Sequence, residues 1–115
     1  MQAEIPVVFH PDEAWMTVAN LPKGSIRGYR LLSREMANRM EAYLLEIAPG
    51  KKLAQHFFTG KGEEFGYLLE GELQAVINKT VHRLSPGDVI YLKHNIPSQW
   101  KNIGTRPSRL LWMKF

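Results

Sequence analysis

Turn-forming residues recur through this chain at intervals too short for a helical protein. Pro49-Gly50, Gly71, Asn78-Lys79 and Ser85-Pro86-Gly87-Asp88 divide its second half, and the segments between them are rich in Val, Ile, Leu, Tyr, Phe and Trp. Proline fixes φ and removes an amide donor, while Gly and Asn accept positive φ, so such punctuation favours short strands joined by hairpins. The expected strands are residues 14–18, 28–33, 39–48, 53–58, 64–70, 72–78, 80–84, 88–92, 98–102 and 108–115. A cadence of roughly 8 to 12 residues per strand is that of a sandwich or barrel, which makes the chain all-β.

One segment is ambiguous by pattern. Met40-Glu41-Ala42-Tyr43-Leu44-Leu45-Glu46-Ile47 is apolar on both parities, which suits a helix as well as a strand. Pro49-Gly50 stops it abruptly and everything downstream has strand character, so a strand is expected. Upstream, Leu21-Pro22-Lys23-Gly24 carries the Pro and Gly of a turn. Asn78-Lys79 joins two apolar runs as a tight hairpin.

With 115 residues and 44% apolar content, one core is expected, in a single domain over residues 1–115. Residues 1–39 form its N-terminal segment with edge strands and residues 40–115 its barrel, with the first ten to fifteen residues loose. Zero cysteines remove disulfides, thiolate metal sites and cysteine nucleophiles, and suit a reducing, cytoplasmic setting. No apolar run approaches the roughly 20 residues of a membrane span. The charge is uneven: residues 1–50 carry five Lys/Arg against six Asp/Glu, and residues 51–115 carry ten against five. The basic residues are scattered near turns rather than gathered in a run or helix, which describes a solvated face rather than a nucleic-acid groove.

The stretch Glu63-Glu64-Phe65-Gly66-Tyr67-Leu68-Leu69-Glu70-Gly71-Glu72-Leu73, then Pro86-Gly87-Asp88, then Pro97-Ser98-Gln99-Trp100-Lys101-Asn102, carries a more specific signal. This order resembles the cupin family over about residues 40–115. The resemblance implies an antiparallel double-stranded β-helix, or jelly-roll barrel. In the family's first motif a Gly is followed by five residues and His-x-His, then a Glu and a Gly; here these fall on Gly50, His56-Phe57-Phe58, Glu64 and Gly71. In the second motif the usual His position holds Ser98.

Metal-binding cupins bring three His nitrogens and one carboxylate together in the barrel, a donor set suited to iron, manganese, nickel or zinc. Here Phe58 and Ser98 stand in two of the His positions, and five residues separate Phe58 from Glu64 where the family has three or four. An alternative register sets Phe58-Thr59-Gly60 on the His-x-His and leaves His56 outside as well. At most His56 and Glu64 remain as metal ligands, so no cofactor is expected. A divalent metal enters only under the alternative of a metal-dependent isomerase or oxygenase. His82 and His94 read as partly exposed, and His10 as part of the N-terminal segment.

More narrowly, these motifs look like the C-terminal sensor domain of bacterial helix-turn-helix regulators of the Xre type, and Arg27-Gly28-Tyr29-Arg30-Leu31-Leu32-Ser33 looks like the segment preceding that barrel. Residues 1–39 are too short and turn-rich for the DNA-binding helices of those regulators, so the chain reads as an excised sensor or a stand-alone relative. The resemblance implies a small-molecule ligand, a homodimer of barrels, no direct nucleic-acid binding and no membrane partner. It places His56, Phe58, Glu64, Leu68, Ser98 and Trp100 on the inward parity. Phe58 and Trp100 would form apolar walls or simply fill the barrel, and His56, Glu64 and Ser98 would orient a ligand by hydrogen bonds. A module closed by aromatics and used for dimerisation is the third possibility. The inward or outward direction of Trp112 is open.

Overall fold

Alternating apolar runs and turns give ten strands and no helix among the described residues. The computed structural model describes residues 8, 10–18, 24–33, 39–59 and 62–115. The strands are β1 (Met16–Thr17), β2 (Ile26–Arg30), β3 (Glu41–Ile47), β4 (Lys52–Leu53), β5 (Glu64–Glu70), β6 (Leu73–Ile77), β7 (Thr80–Leu84), β8 (Val89–Leu92), β9 (Gln99–Asn102) and β10 (Ser108–Lys114). They form a six-stranded sheet, β1-β2-β3-β10-β5-β8, and a four-stranded sheet, β4-β9-β6-β7. Every pairing is antiparallel, and the two sheets close as a jelly-roll barrel. The expected loose first residues lie largely outside the described residues, as do residues 21–23 of the expected turn; Gly24 has φ of 86°.

The ambiguous segment around residue 43 is β3, held between β2 and β10. Its two apolar parities have separate uses. Leu45 and Ile47 enter the core, whereas Ala42 and Leu44 are buried on the opposite face. Leu45 pairs with Leu110, which in turn pairs with Leu68 on β5. From the smaller sheet come Leu53, Leu73, Ala75, Leu84 and Trp100, so one apolar cluster fills the space between the sheets.

Asn102 ties the sheets together. Fully buried on β9, its amide donates to the Ile47 carbonyl at 3.0 Å and to the Arg106 carbonyl at 2.8 Å, and its side-chain oxygen accepts from the Gly104 amide at 2.9 Å. A buried amide left unpaired would cost about 1–3 kcal/mol, and here both ends are satisfied.

The expected strand at residues 53–58 is corrected. Only Leu53 continues the sheet; residues 54–59 leave it, because His56 and Phe57 are both buried although adjacent. Consecutive side chains on a strand face opposite ways, so burying both requires irregular backbone. The remaining strands lie where expected to within two residues at each end, except that β2 is displaced toward the N-terminus and ends at Arg30, three residues before the expected end.

At the β6–β7 hairpin Asn78 and Lys79 have φ of 50° and 64°. Two successive left-handed residues define the turn that matches strand twist, and its second position favours Gly. A lysine there carries backbone strain of about 1–2 kcal/mol that glycine lacks, partly offset by the larger unfolded-state entropy of glycine. Lys79→Gly is therefore expected to stabilise the protein by roughly 0.5–1 kcal/mol, a rise of a few degrees in Tm. A calorimetric melt showing no rise would contradict this account of the turn.

Candidate functional site

Glu64, Gly66 and Leu68 share the inward face of β5, paired across β10 with Lys114, Trp112 and Leu110. Glycine at 66 has a steric reason: a methyl group there would overlap the Trp112 ring and Cγ2 of Ile90. The Trp112 ring thus lies against the backbone of β5, and its indole nitrogen reaches Glu64. Trp112, left open by the sequence, faces inward and is fully buried.

A hydrogen-bonded chain then crosses the barrel. Trp112 Nε1 donates to Glu64 Oε1 at 3.0 Å, His56 Nε2 lies 3.0 Å from the same oxygen, and Trp100 Nε1 donates to His56 Nδ1 at 3.2 Å. An indole nitrogen is a donor only, so His56 Nδ1 must accept from Trp100. The ring proton accordingly sits on Nε2 and is donated to Glu64. Phe57 stacks on Trp100 with ring centroids 4.5 Å apart and meets Trp112 edge-on at 5.3 Å. Trp100 and Trp112 meet edge-on at 5.7 Å.

Of the residues expected to face inward, the structure brings His56, Glu64 and Trp100 together and buries Leu68 in the apolar cluster beside them. Ser98 departs from that expectation. Phe58 is half-buried and packs against the apolar cluster at its margin, with its ring 4.7 Å from that of Tyr43 and Lys114 Nζ 5.0 Å from its centre, while Phe57 takes the fully buried position. Ser98 is exposed, and its hydroxyl donates to the Val76 carbonyl at 3.3 Å. Two contributors were missed. Phe57 is not among the residues expected to face inward. Trp112 sits near the C-terminus, beyond the quoted motifs.

Beyond Trp112, Glu41, Lys114 and Glu64 line up in register across β3, β10 and β5. Tyr43 donates to Glu41 at 2.7 Å, with Arg30 Nη1 at 3.6 Å and Lys114 Nζ at 3.9 Å from its carboxylate. On the other side of Glu64 lies a cleft of about 220 Å³, lined by Gly62, Glu64 and residues 92–96. Glu64 pairs with Leu92, and the loop continuing from β8 carries Lys93 and His94, both exposed. Glu64 Oε1 is occupied, while Oε2 has no partner among the described residues.

The donor set does not fit a tightly held transition metal. Such sites need three or more N, O or S ligands, and His56 and Glu64 supply two. Among the described residues no group of three His, Cys, Asp or Glu comes together. The neighbouring indole N–H groups are donors without a lone pair to offer, and phenylalanine offers nothing.

A protein-family model described as "Cupin domain" matches residues 43–114. No curated protein matches the chain in sequence. Several solved structures share the fold. The cupin domain of an XRE family transcriptional regulator from Enterobacter cloacae superimposes with a TM-score of 0.67 at 17% identity, over 78% of this chain and 95% of that one. A cupin 2 conserved barrel domain protein from Salinispora arenicola gives 0.71 at 20% identity, over 100% and 90%. The EutQ protein of Clostridium difficile gives 0.63 at 18% identity, over 78% and 67%. Identities this low establish the architecture.

Burial alone would raise the Glu64 carboxyl pKa. The hydrogen bond from His56, the Trp112 N–H and the Lys114 charge outweigh it and hold the group below its ordinary value of 4.5. A depressed folded-state pKa means that the unfolded chain binds the proton more readily. Its stabilising contribution is present above the unfolded value and is lost as pH falls through the folded one. The Tm of the wild type is therefore expected to fall more steeply than that of Glu64→Gln between neutral pH and about pH 3, with Gln less stable by about 1–3 kcal/mol at pH 7. Parallel curves for the two proteins would show that Glu64 does not carry this linkage.

Proposed function

The chain belongs to the cupin family, and on that premise we propose that it is a non-enzymatic domain that binds a small polar metabolite at the cleft ending on Glu64. The observation that carries this reading is a residue only 6% exposed that lines a cleft, with both of its hydrogen-bond donors on one carboxylate oxygen and no partner for the other among the described residues. A charged group this deep is costly unless it is used, and binding sites characteristically place a few fixed polar atoms on an otherwise apolar floor. The two-ligand donor set gives little support to the alternative of a metal-dependent isomerase or oxygenase. The aromatic filling of the barrel by Phe57, Trp100 and Trp112 favours a second reading, a module that acts mainly through its surface.

In the setting we propose, the whole chain is one domain working in the cytoplasm. It serves as the effector-binding part, or a stand-alone relative, of a bacterial transcriptional regulator. The fold shared with the Enterobacter regulator domain is compatible with that role. Among the described residues no helix is long and apolar enough to cross a membrane. The lysines and arginines are scattered along the sequence rather than gathered in a run, and on our reading this chain does not hold nucleic acid by itself.

The outer face of the six-stranded sheet supports a homodimer. Phe65, Tyr67, Leu111 and Met113 are half-buried there, next to Val89 at 53% and Tyr91 at 55% exposure on the edge strand β8. An apolar face beside an unpaired edge is a typical homodimer surface. Tyr91→Glu is expected to shift the sedimentation profile from dimer to monomer without lowering Tm at limiting dilution; a wild type that is monomeric throughout would refute the dimer.

The ligand reading is tested by a metabolite thermal-shift screen run beside elemental analysis after incubation with iron, manganese, nickel and zinc. At least one small polar metabolite is expected to raise Tm in the wild type and not in Glu64→Gln, and bound metal is expected to stay far below stoichiometric. Stoichiometric metal lost on His56→Ala would revive the enzyme.

A further inference from the structure

The cleft's chemistry specifies more than a generic ligand. Resting on the binding reading above, we infer that the cleft takes a small zwitterion, with an ammonium group on Glu64 Oε2 and a carboxylate at the rim against Lys93 and His94. Three observations carry this.

The first is the state of the floor. Both N–H donors that reach Glu64, from His56 and Trp112, end on Oε1, and the tautomer imposed by Trp100 fixes His56 as donor. No donor among the described residues satisfies Oε2, and the residue lies on the cleft wall. An ionised carboxylate oxygen accepts only, so the deep end of the ligand must present N–H or O–H, and a cationic ammonium makes the stronger bond.

The second is the rim. Lys93 follows Leu92, the residue paired with Glu64, so its Cα is one step of about 3.8 Å along the chain from that pair. Neither Lys93 nor His94 has an ion pair or side-chain hydrogen bond among the described residues. A free lysine ammonium at the mouth of a cleft whose floor is a carboxylate gives opposite charges at its two ends. A simple amine would satisfy the floor and meet like charge at the rim. A simple carboxylate would satisfy the rim and leave Glu64 as it is.

The third is size. About 220 Å³ is below the roughly 300–1,000 Å³ of drug-sized pockets and holds on the order of seven waters at roughly 30 Å³ each. An amino acid or short ω-amino acid has a comparable number of non-hydrogen atoms. Leu92 and Ile96 supply apolar wall for a short carbon spacer.

The test uses the full chain, labelled with ¹⁵N, and follows the Trp112 indole N–H resonance, which reports directly on Glu64. Glycine, β-alanine and 4-aminobutyrate are titrated beside ethylamine and propionate. At least one zwitterion is expected to move the resonance with a Kd about fivefold or more below both single-charge probes, the scale of a partly exposed ion pair. Lys93→Ala, a change at an exposed side chain, is expected to weaken the zwitterion and to tighten ethylamine, so that the two affinities converge. Equal affinity for ethylamine and the zwitterions, or no effect of Lys93→Ala, would overturn the inference. If none of these probes moves the resonance but a mixed metabolite set does, the zwitterion is refuted and the binding site stands. If neither set moves it, both readings fall.

Discussion

The hydrogen bonds that converge on Glu64 Oε1 organise the rest of this barrel. A carboxylate inside an apolar cluster is tolerated only when it is hydrogen-bonded, and here the donors come from separate parts of the chain: His56 from the irregular segment after β4, and Trp112 from β10. His56 is in turn held by Trp100 on β9 of the smaller sheet. One carboxylate therefore connects both sheets and the intervening loop. The irregular backbone at residues 54–59 follows from the same requirement, since a regular strand could not deliver His56 to Glu64 and Phe57 to Trp100 at once.

The aromatic residues around that chain account for the shape of the site. Each buried tryptophan removes roughly 200 Å² from water, about 5 kcal/mol of transfer free energy at 25 cal/mol/Å². Two of them with Phe57 occupy the middle of the barrel, and Gly66 lets Trp112 approach the backbone of β5. What stays open is the side of Glu64 away from these rings, toward the loop that follows β8. Packing has moved the accessible chemistry from the barrel axis to one wall.

Much of the fold is legible in the sequence because turn chemistry and strand alternation are local. Asn78-Lys79, Pro86-Gly87 and Gly71 mark the places where the strands of the barrel end, and the strands between them follow. The site is legible only in part. His56, Glu64 and Trp100 lie in motifs with fixed spacing, and they do meet. Phe57 escapes the inward set because period-two reasoning holds only while the chain stays in a sheet, and nothing local announces that residue 54 leaves it. Trp112 reaches Glu64 across a strand pairing 48 residues apart, a separation that no local pattern encodes. Lys93 and His94 looked like loop polarity, and their importance comes from the Glu64–Leu92 pairing that sets them beside the carboxylate.

Stability alone does not explain why a charge occupies position 64. Replacing a buried ionic group and its partners with apolar residues of similar volume is often neutral or stabilising, whereas removing one partner is costly. A barrel already filled by two tryptophans and a phenylalanine has ample apolar material, so a leucine-like core at positions 56 and 64 would serve folding as well. Within the core, His56 and Trp112 hold Glu64 in place through Oε1, and that oxygen joins the two sheets; Oε2 has no such task there. Its second oxygen has no partner among the described residues, and the residue lines a cleft. A group that is expensive to bury, carefully held on one side and open on the other is explained by what approaches from the open side.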